Sequence, residues 1–454
     1  MKSNITTNQK VVEVDPHQDI YNRGKKVIPG GVSRNTIYRK PHPFYVAHAK
    51  GSYITDIDGT VRTDFANNMA SLIHGHAHPE VVSAVTEQMQ KGTAYTMGTE
   101  AEVAFAEHLN QRTPQFKKIR FMNSGTEAVM TMLKAARAYT EKSKIAKAEG
   151  AYHGTYDFAE ISQTANSRNW GNIDKPNSVP LVYGTPKGVL DNVVIFPYND
   201  IERTINILDQ HADEIACVLI DPISHRIGMF EATNEYIKAI YNWTRKNNAL
   251  MVFDEVITYR VNYSGAQKNY PVKPDMTALG KIIGGGFPIG AVAGKSIIMD
   301  VLNPRILFQK HPHSGTFSAN PISMTAGKVT MELFDKQAVD DLNELTHVAR
   351  KQIREVIKIA DVPISMTGMG SMMRLHLQEN APTTYREINQ SKNAKAVINK
   401  ILDYMFIKEN IIMINTLSTM FSTTLTQDDV DRLSDGLLRA FKLYKPKIEK
   451  LNHA

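Results

Sequence analysis

From about residue 100 the chain alternates short apolar runs with stretches of helical spacing. The runs cover residues 119–122, 145–149, 215–220 and 250–253, and each ends in polar or glycine-containing sequence. Between them apolar residues recur at helical intervals over 102–110, 127–139 and 236–246, where Ile237, Ile240 and Tyr241 fall on one face. This alternation predicts an α/β domain with a largely parallel sheet. Ahead of it, runs at 44–49, 53–56 and 61–65, the last two joined by Asp58-Gly59, predict antiparallel strands and a hairpin. A helix is expected after Pro79, through Val81, Val82 and Val85, and another from Pro321 through Val329, Met331 and Leu333.

Beyond residue 330 the texture changes. Strands are expected at 364–366, 372–377 and 411–414, and helices at 394–408 and 428–442. The last of these opens on a capping box, Thr426-Gln427-Asp428-Asp429. This predicts a second, smaller α+β domain. The polar residues up to about Tyr21 are expected to be loosely ordered, and the lysine-rich stretch 442–450 to be a solvated tail.

Composition narrows the classes. The chain has 454 residues, 42% apolar and 22% charged, as in ordinary soluble proteins. No uncharged apolar run is long enough to span a membrane, and Met1 to Ile5 does not open an apolar signal core. The single cysteine, Cys217, excludes an intrachain disulfide and fits a reducing cytoplasm; it sits in an apolar run and reads as core. The net charge of +7 is spread along the chain without a basic, aromatic-interleaved block, so neither nucleic acid nor membrane is expected as a partner. A mild positive field suits anionic small molecules. No G-x-G-x-x-G follows a strand and no P-loop is present. His74, His76 and His78 lie in a Gly/Pro-containing turn whose spacing fits no zinc pattern, so no metal is expected.

The chemistry centres on Lys281, between the apolar Thr277-Ala278-Leu279-Gly280 and a glycine-rich loop ending at Pro288. Nothing adjacent in sequence offers it an ion pair. Desolvation there lowers an amine's pKa, the condition for attack on a carbonyl. Asn123-Ser124-Gly125-Thr126 opens a helix, where free N–H groups, hydroxyls and the helix dipole form an anion site. Tyr152, Asp221 and Asp254 follow three of the apolar runs, and ligands in open α/β sheets sit beyond the carboxyl ends of the strands. A desolvated lysine, an acid at a buried strand end, an anion cradle and a flat ring together meet the needs of pyridoxal phosphate.

With these motifs in place, the chain resembles the class III aminotransferases of pyridoxal-phosphate fold type I, and within them the glutamate-1-semialdehyde aminomutase-like branch. The resemblance runs from about Tyr21 to the C-terminal helix. It rests on Pro29-Gly30-Gly31-Val32, Gly75-His76-Ala77-His78-Pro79, Asn123-Ser124-Gly125-Thr126-Glu127-Ala128, Tyr152-His153-Gly154, Phe253-Asp254-Glu255-Val256, Leu279-Gly280-Lys281 and Ser314-Gly315-Thr316-Phe317.

The resemblance implies a large domain over 76–329 and a small domain over 330–454, to which 1–75 contributes. It implies that Lys281 forms the internal aldimine with pyridoxal 5'-phosphate and moves the substrate proton. Asp254 pairs with the ring nitrogen, Ser124, Gly125 and Thr126 hold the phosphate, and Tyr152 and Val256 take opposite ring faces. His153 belongs to the same cofactor-contacting set. Thr316 reaches the cofactor of a neighbouring subunit, which implies a homodimer with shared sites. Arg34 receives a substrate carboxylate, and Arg226 a second carboxylate or the cofactor's phenolic oxygen.

Four departures bear on the reaction. The family's strand-end Glu-Pro is Asp221-Pro222 here, and Ser224-His225-Arg226 replaces a segment with glycine and asparagine. Asn35-Thr36-Ile37-Tyr38 stands where the aminomutase has a proline-valine-arginine run, and the stretch 415–421 lacks its acidic residue. These favour transamination between an amino acid, of β-amino or aryl type, and a keto acid by a ping-pong cycle. A glutamate-1-semialdehyde-type aminomutase or an amino-acid racemase is the alternative on the same site. A non-catalytic ligand-binding relative is remote, because such proteins usually lose the lysine.

Overall fold

The central strands read as continuous apolar runs because both of their faces are covered. Ile145, Cys217, Leu219 and Val252 point into one cluster, beneath the helix Gly125–Thr140. Their neighbours Ala146, Val218, Ile220, Met251 and Phe253 point into another, beneath Asn234–Lys246. The structure, a computed structural model, describes residues 15–388 and 391–452.

Seven strands form the main sheet, in the order Lys118–Met122, Gly290–Gly294, Met276–Gly280, Leu250–Asp254, Ile215–Ile220, Lys144–Ala148, Val193–Phe196. Gly290–Gly294 runs antiparallel to both of its neighbours, and the other pairings are parallel. The carboxyl ends of the parallel strands therefore share one edge. There the chain continues into Asn123, Glu149, Asp221, Glu255 and Lys281.

The N-terminal strands Val46–Lys50, Tyr53–Asp56 and Val61–Asp64 form an antiparallel sheet, closed by Ile411–Ile412 running parallel to the third. A three-stranded sheet, Ser365–Thr367, Met372–His376 and Ser418–Met420, packs with the helices Lys336–Ala360, Lys392–Ile407 and Gln427–Asn452. The capping box is made: Thr426 Oγ1 and N–H both meet Asp429 Oδ2 at 3.0 Å, and the Asp429 N–H returns to Thr426 Oγ1 at 3.3 Å.

Several expectations are corrected. The stretch 442–450 is no tail: it continues the helix Gln427–Asn452 with Pro446 inside, and Ile448 is fully buried. Part of the loosely ordered start is a helix, Pro16–Gly24, whose Asp15 carboxylate caps the His17 and Gln18 N–H groups; residues 1–14 lie outside the described residues. Lys336–Ala360, a 25-residue helix, stands where no element was anticipated. Arg260 is wholly buried and ties the two halves by donating to Ser371 Oγ at 2.8 Å and to Phe421 O. Among the described residues no helix is long and apolar enough to cross a membrane.

Candidate active site

The strand ends enclose a crevice of about 340 Å³. Ser124, Gly125, Thr126, Tyr152, His153, Asp221, Asp254, Val256 and Lys281 all line it, so residues spread over some 160 positions meet in one place. Gly125–Thr140 starts at its wall. The Ser124 side chain accepts from the Glu127 N–H at 3.1 Å, and Glu127 Oε2 accepts the Asn123 N–H at 2.6 Å. This box leaves the Ser124 hydroxyl proton and the first helical N–H groups to bind an anion. Close approach explains the glycines. A Cβ on Gly125 would stand 2.8 Å from Val256 Cγ1, and one on Gly280 would stand 3.3 Å from the same methyl.

Asp254 ends its strand 7% exposed. One oxygen accepts the Val256 N–H at 3.0 Å, and the other lies 2.8 Å from His153 Nδ1. Burial lowers the pKa of His153, against the pull of Asp254, and Nδ1–H donates to the carboxylate. Beside Asp254, the Asp221 carboxyl is pushed well above the usual carboxylate range by burial and by Asp254.

Lys281 leaves its strand with φ 49°. Burial presses its pKa below 10.5, against the attraction of Asp254 and Asp221. The acids that act on it thus come from two other strands rather than from the neighbouring sequence. Tyr152 is half-buried, and burial raises its phenol pKa. His225, unassigned from sequence, lines the crevice 6.0 Å from the Tyr152 ring, edge-on, with its pKa driven well down by burial and by Lys281.

Three assigned residues stand apart from this lining. The Arg226 guanidinium lies 6.0 Å from the Tyr152 ring centroid. Arg34 is exposed, and its Nη1 donates at 2.8 Å to Oδ1 of Asn68, a lining residue. Thr316 is exposed in a separate small pocket with Tyr95, Met97 and Phe317.

The sequence reading missed Asn68 and Ser71, which line the wall. They belong to a turn in which Asn67, Asn68, Met69 and Ala70 all have positive φ. Such a conformation costs about 1–2 kcal/mol for each non-glycine residue. The doublet Asn67-Asn68 is the signal that could have found it, since asparagine tolerates this region best.

A further unanticipated contact lies behind Tyr152. Glu149, 2% exposed, receives Arg386 through two bonds, 2.8 and 2.9 Å, and that guanidinium also covers Trp170 at 4.8 Å.

Two of the three turn histidines have protein partners. His74 joins Thr423 Oγ1 and Thr330 O, and His76 Nε2 lies 2.9 Å from Asp64 Oδ2. His17, Asp56 and Asp58 could bring one atom each within 4.8 Å of the others. However, the Tyr45 N–H occupies His17 Nδ1 at 2.9 Å, so Nε2 carries the proton and turns a donor, not a lone pair, toward the carboxylates. Cys217 is buried, its thiol pushed up to about 12 by desolvation.

An anion cradle at a helix start, a buttressed acid at one strand end and a lysine of depressed pKa at another are the groups that a pyridoxal-phosphate site of fold type I requires. Residues 36–441 match the family "Aminotransferase class-III", and the chain belongs to it; it is a pyridoxal-phosphate-dependent enzyme. It is 36% identical over 376 residues to the glutamate-1-semialdehyde 2,1-aminomutase of Methanothermobacter thermautotrophicus, covering 82% of this chain and 86% of that one. An omega-transaminase from Sphaerobacter thermophilus superposes with a TM-score of 0.92 at 40% identity, over 95% of this chain and 98% of that one. A beta-phenylalanine aminotransferase from Variovorax paradoxus superposes at 0.83 and 27% identity, over 94% of each chain.

Proposed function

We propose that this enzyme is an aminotransferase, passing an amino group from a carboxylate-bearing amine, of β-amino or aryl type, to a keto acid by a ping-pong cycle. The observation that carries the reading is Lys281, a strand-end amine of lowered pKa in one crevice with the His153-buttressed Asp254. The bound pyridoxal phosphate supplies an electron sink for the electrons left on the substrate carbon.

The chain's own groups do the rest. The Ser124 and Thr126 hydroxyls and the N–H groups of Gly125 and Thr126 hold the phosphate. Asp254 keeps the ring nitrogen protonated, and His153 keeps Asp254 in place. Tyr152 and Val256 flank the ring. Lys281 Nζ is the base that moves the substrate proton. Arg34 receives the carboxylate, since a guanidinium binds one through two parallel bonds. Arg226, beside Tyr152, takes a second carboxylate or the cofactor's phenolic oxygen.

The omega-transaminase and the beta-phenylalanine aminotransferase support this reading by their likeness along nearly the whole chain. The active unit is a homodimer in which Thr316 reaches the neighbouring site. Met97, Leu307, Phe308 and Phe317, 81%, 87%, 83% and 57% exposed, give the apolar surface such a contact needs. The lone buried thiol suits a reducing cytoplasm.

Isomerisation on one substrate is the second reading, favoured by the aminomutase names of the curated relatives. One experiment separates the two. A donor supplied without an acceptor converts a transaminase to its pyridoxamine form and releases keto product stoichiometrically. Net isomerisation with no keto acid formed, and none required, would overturn the proposal.

A further inference from the structure

The strained turn at the crevice wall is held from several sides. Asn67, Asn68, Met69 and Ala70 have φ of 46°, 46°, 56° and 70°. A run of non-glycine residues in this region persists only where its surroundings fix it, and such segments gather at functional sites. Asp64 Oδ1 accepts the N–H groups of Ala66 and Asn67 at 2.8 and 2.9 Å. The fully buried Asn67 donates through Nδ2 to Met420 O at 2.5 Å.

What the turn presents is the Asn68 amide. Its Nδ2 donates to Ser71 Oγ at 3.0 Å, and that hydroxyl donates back to Asn68 O at 3.0 Å. Oδ1 is thereby turned to Arg34 Nη1, 2.8 Å away, the orientation a donor-only guanidinium requires.

We propose that Asn68 is the specificity-determining residue at the mouth of the crevice. It is a neutral acceptor that orients the Arg34 guanidinium toward a substrate carboxylate without cancelling its charge. The inference rests on Arg34 being the carboxylate receptor. A guanidinium has five N–H donors, and Asn68 engages one, leaving an edge for a carboxylate. An aspartate at 68 would hold Arg34 equally well and neutralise it, so the choice of amide selects carboxylate-bearing amines over plain ones. The left-handed backbone is what brings so short a side chain to the guanidinium.

The probe is 3-phenylpropanoate, a carboxylate without an amine, titrated calorimetrically into the holoenzyme. Turnover of 3-amino-3-phenylpropanoate and of 1-phenylethylamine is followed in parallel. Asn68→Asp is expected to weaken 3-phenylpropanoate by more than about tenfold, and Asn68→Ala by about three- to tenfold. In both variants kcat/KM should fall by about tenfold more for the amino acid than for the plain amine, mainly through KM. Asn68→Gly loses the same amide in a residue indifferent to positive φ, so it reports the side chain even if the alanine variant folds poorly. Arg34→Ala losing the probe while all three Asn68 variants keep parental affinity would overturn this inference alone. Parental affinity in Arg34→Ala, or no binding by the parent, would overturn the Arg34 reading and this inference with it.

Discussion

His153 Nδ1 and Asp254 Oδ2 stand 2.8 Å apart in the buried floor of the crevice, and the second Asp254 oxygen is closed by the Val256 N–H at 3.0 Å. The acid is therefore fixed from two directions before any ligand arrives. His153→Leu removes one support and leaves a buried carboxylate oxygen without a partner. A lost hydrogen bond to a charged group is worth about 1.5–3 kcal/mol, so kcat/KM should fall roughly 10- to 150-fold, with pyridoxal-phosphate affinity falling too. Steady-state kinetics and titration of the apoprotein check this. Parental values for both would take His153 out of the site.

Lys281→Ala should abolish turnover yet still bind the cofactor through the helix-start cradle and Asp254. The parent apoprotein offers a second test. Burial holds the Lys281 amine below its ordinary 10.5, so the rate of cofactor capture should climb with pH and level off at a midpoint below that value. Stopped-flow absorbance over pH 6–11 measures it. A midpoint at or above 10.5 contradicts the burial argument.

Gly125→Ala would force a Cβ to 2.8 Å from Val256 Cγ1. Overpacking of this kind costs about 1–3 kcal/mol, expected here as weaker cofactor retention on gel filtration. Val256→Ala in the same chain should restore part of the loss, because it removes the opposing methyls. No recovery in the double variant would mean that the clash is not the cause.

Lys147 is wholly buried, donating to Ala151 O and Ile161 O at 2.9 and 2.7 Å, and burial lowers its pKa from 10.5 to about 7. Between these values the unfolded chain keeps a proton that the folded chain has lost. Folding stability therefore gains from this group as pH rises from about 7 toward 10.5, by up to about 1.4 kcal/mol per pH unit. Lys147→Met should lack that gain. Urea denaturation of both proteins at pH 7, 8 and 9 should show curves that diverge with pH, and parallel behaviour would refute the assignment.

How much of this could be read from sequence depended on the range of the interactions. The strands Ile215–Ile220 and Leu250–Asp254 announce themselves because each residue is buried on one face or the other. Lys281, Asp254 and the Ser124 helix start were recognisable because their chemistry is local. Gly290–Gly294 was missed: Gly-Ala-Val-Ala-Gly has little β-propensity, and its small residues admit the backbone at Ser124 O. Lys336–Ala360 did carry a helical stripe, Val339, Leu342, Ala349, Ile353 and Val356, diluted by charged residues. The Asn67-Asn68 doublet could mark a left-handed turn but not its place at the crevice, which depends on Asp64, Ser71, Arg34 and, through Asn67, on Met420.

The Arg386–Glu149 pair has a mechanical consequence. Glu149 precedes Tyr152 by three positions, while Arg386 lies ten beyond the strand Met372–His376 of the other half of the molecule. Tyr385 reinforces the rivet, its hydroxyl bonded to Ala165 O at 2.7 Å and its ring filling the space beside Gly150. A swing of the C-terminal half that kept this rivet would turn about Glu149. The loop leading to Tyr152 would then hold its station while the helices farthest from the pin swept the widest arc, as on a door hung from a single carboxylate.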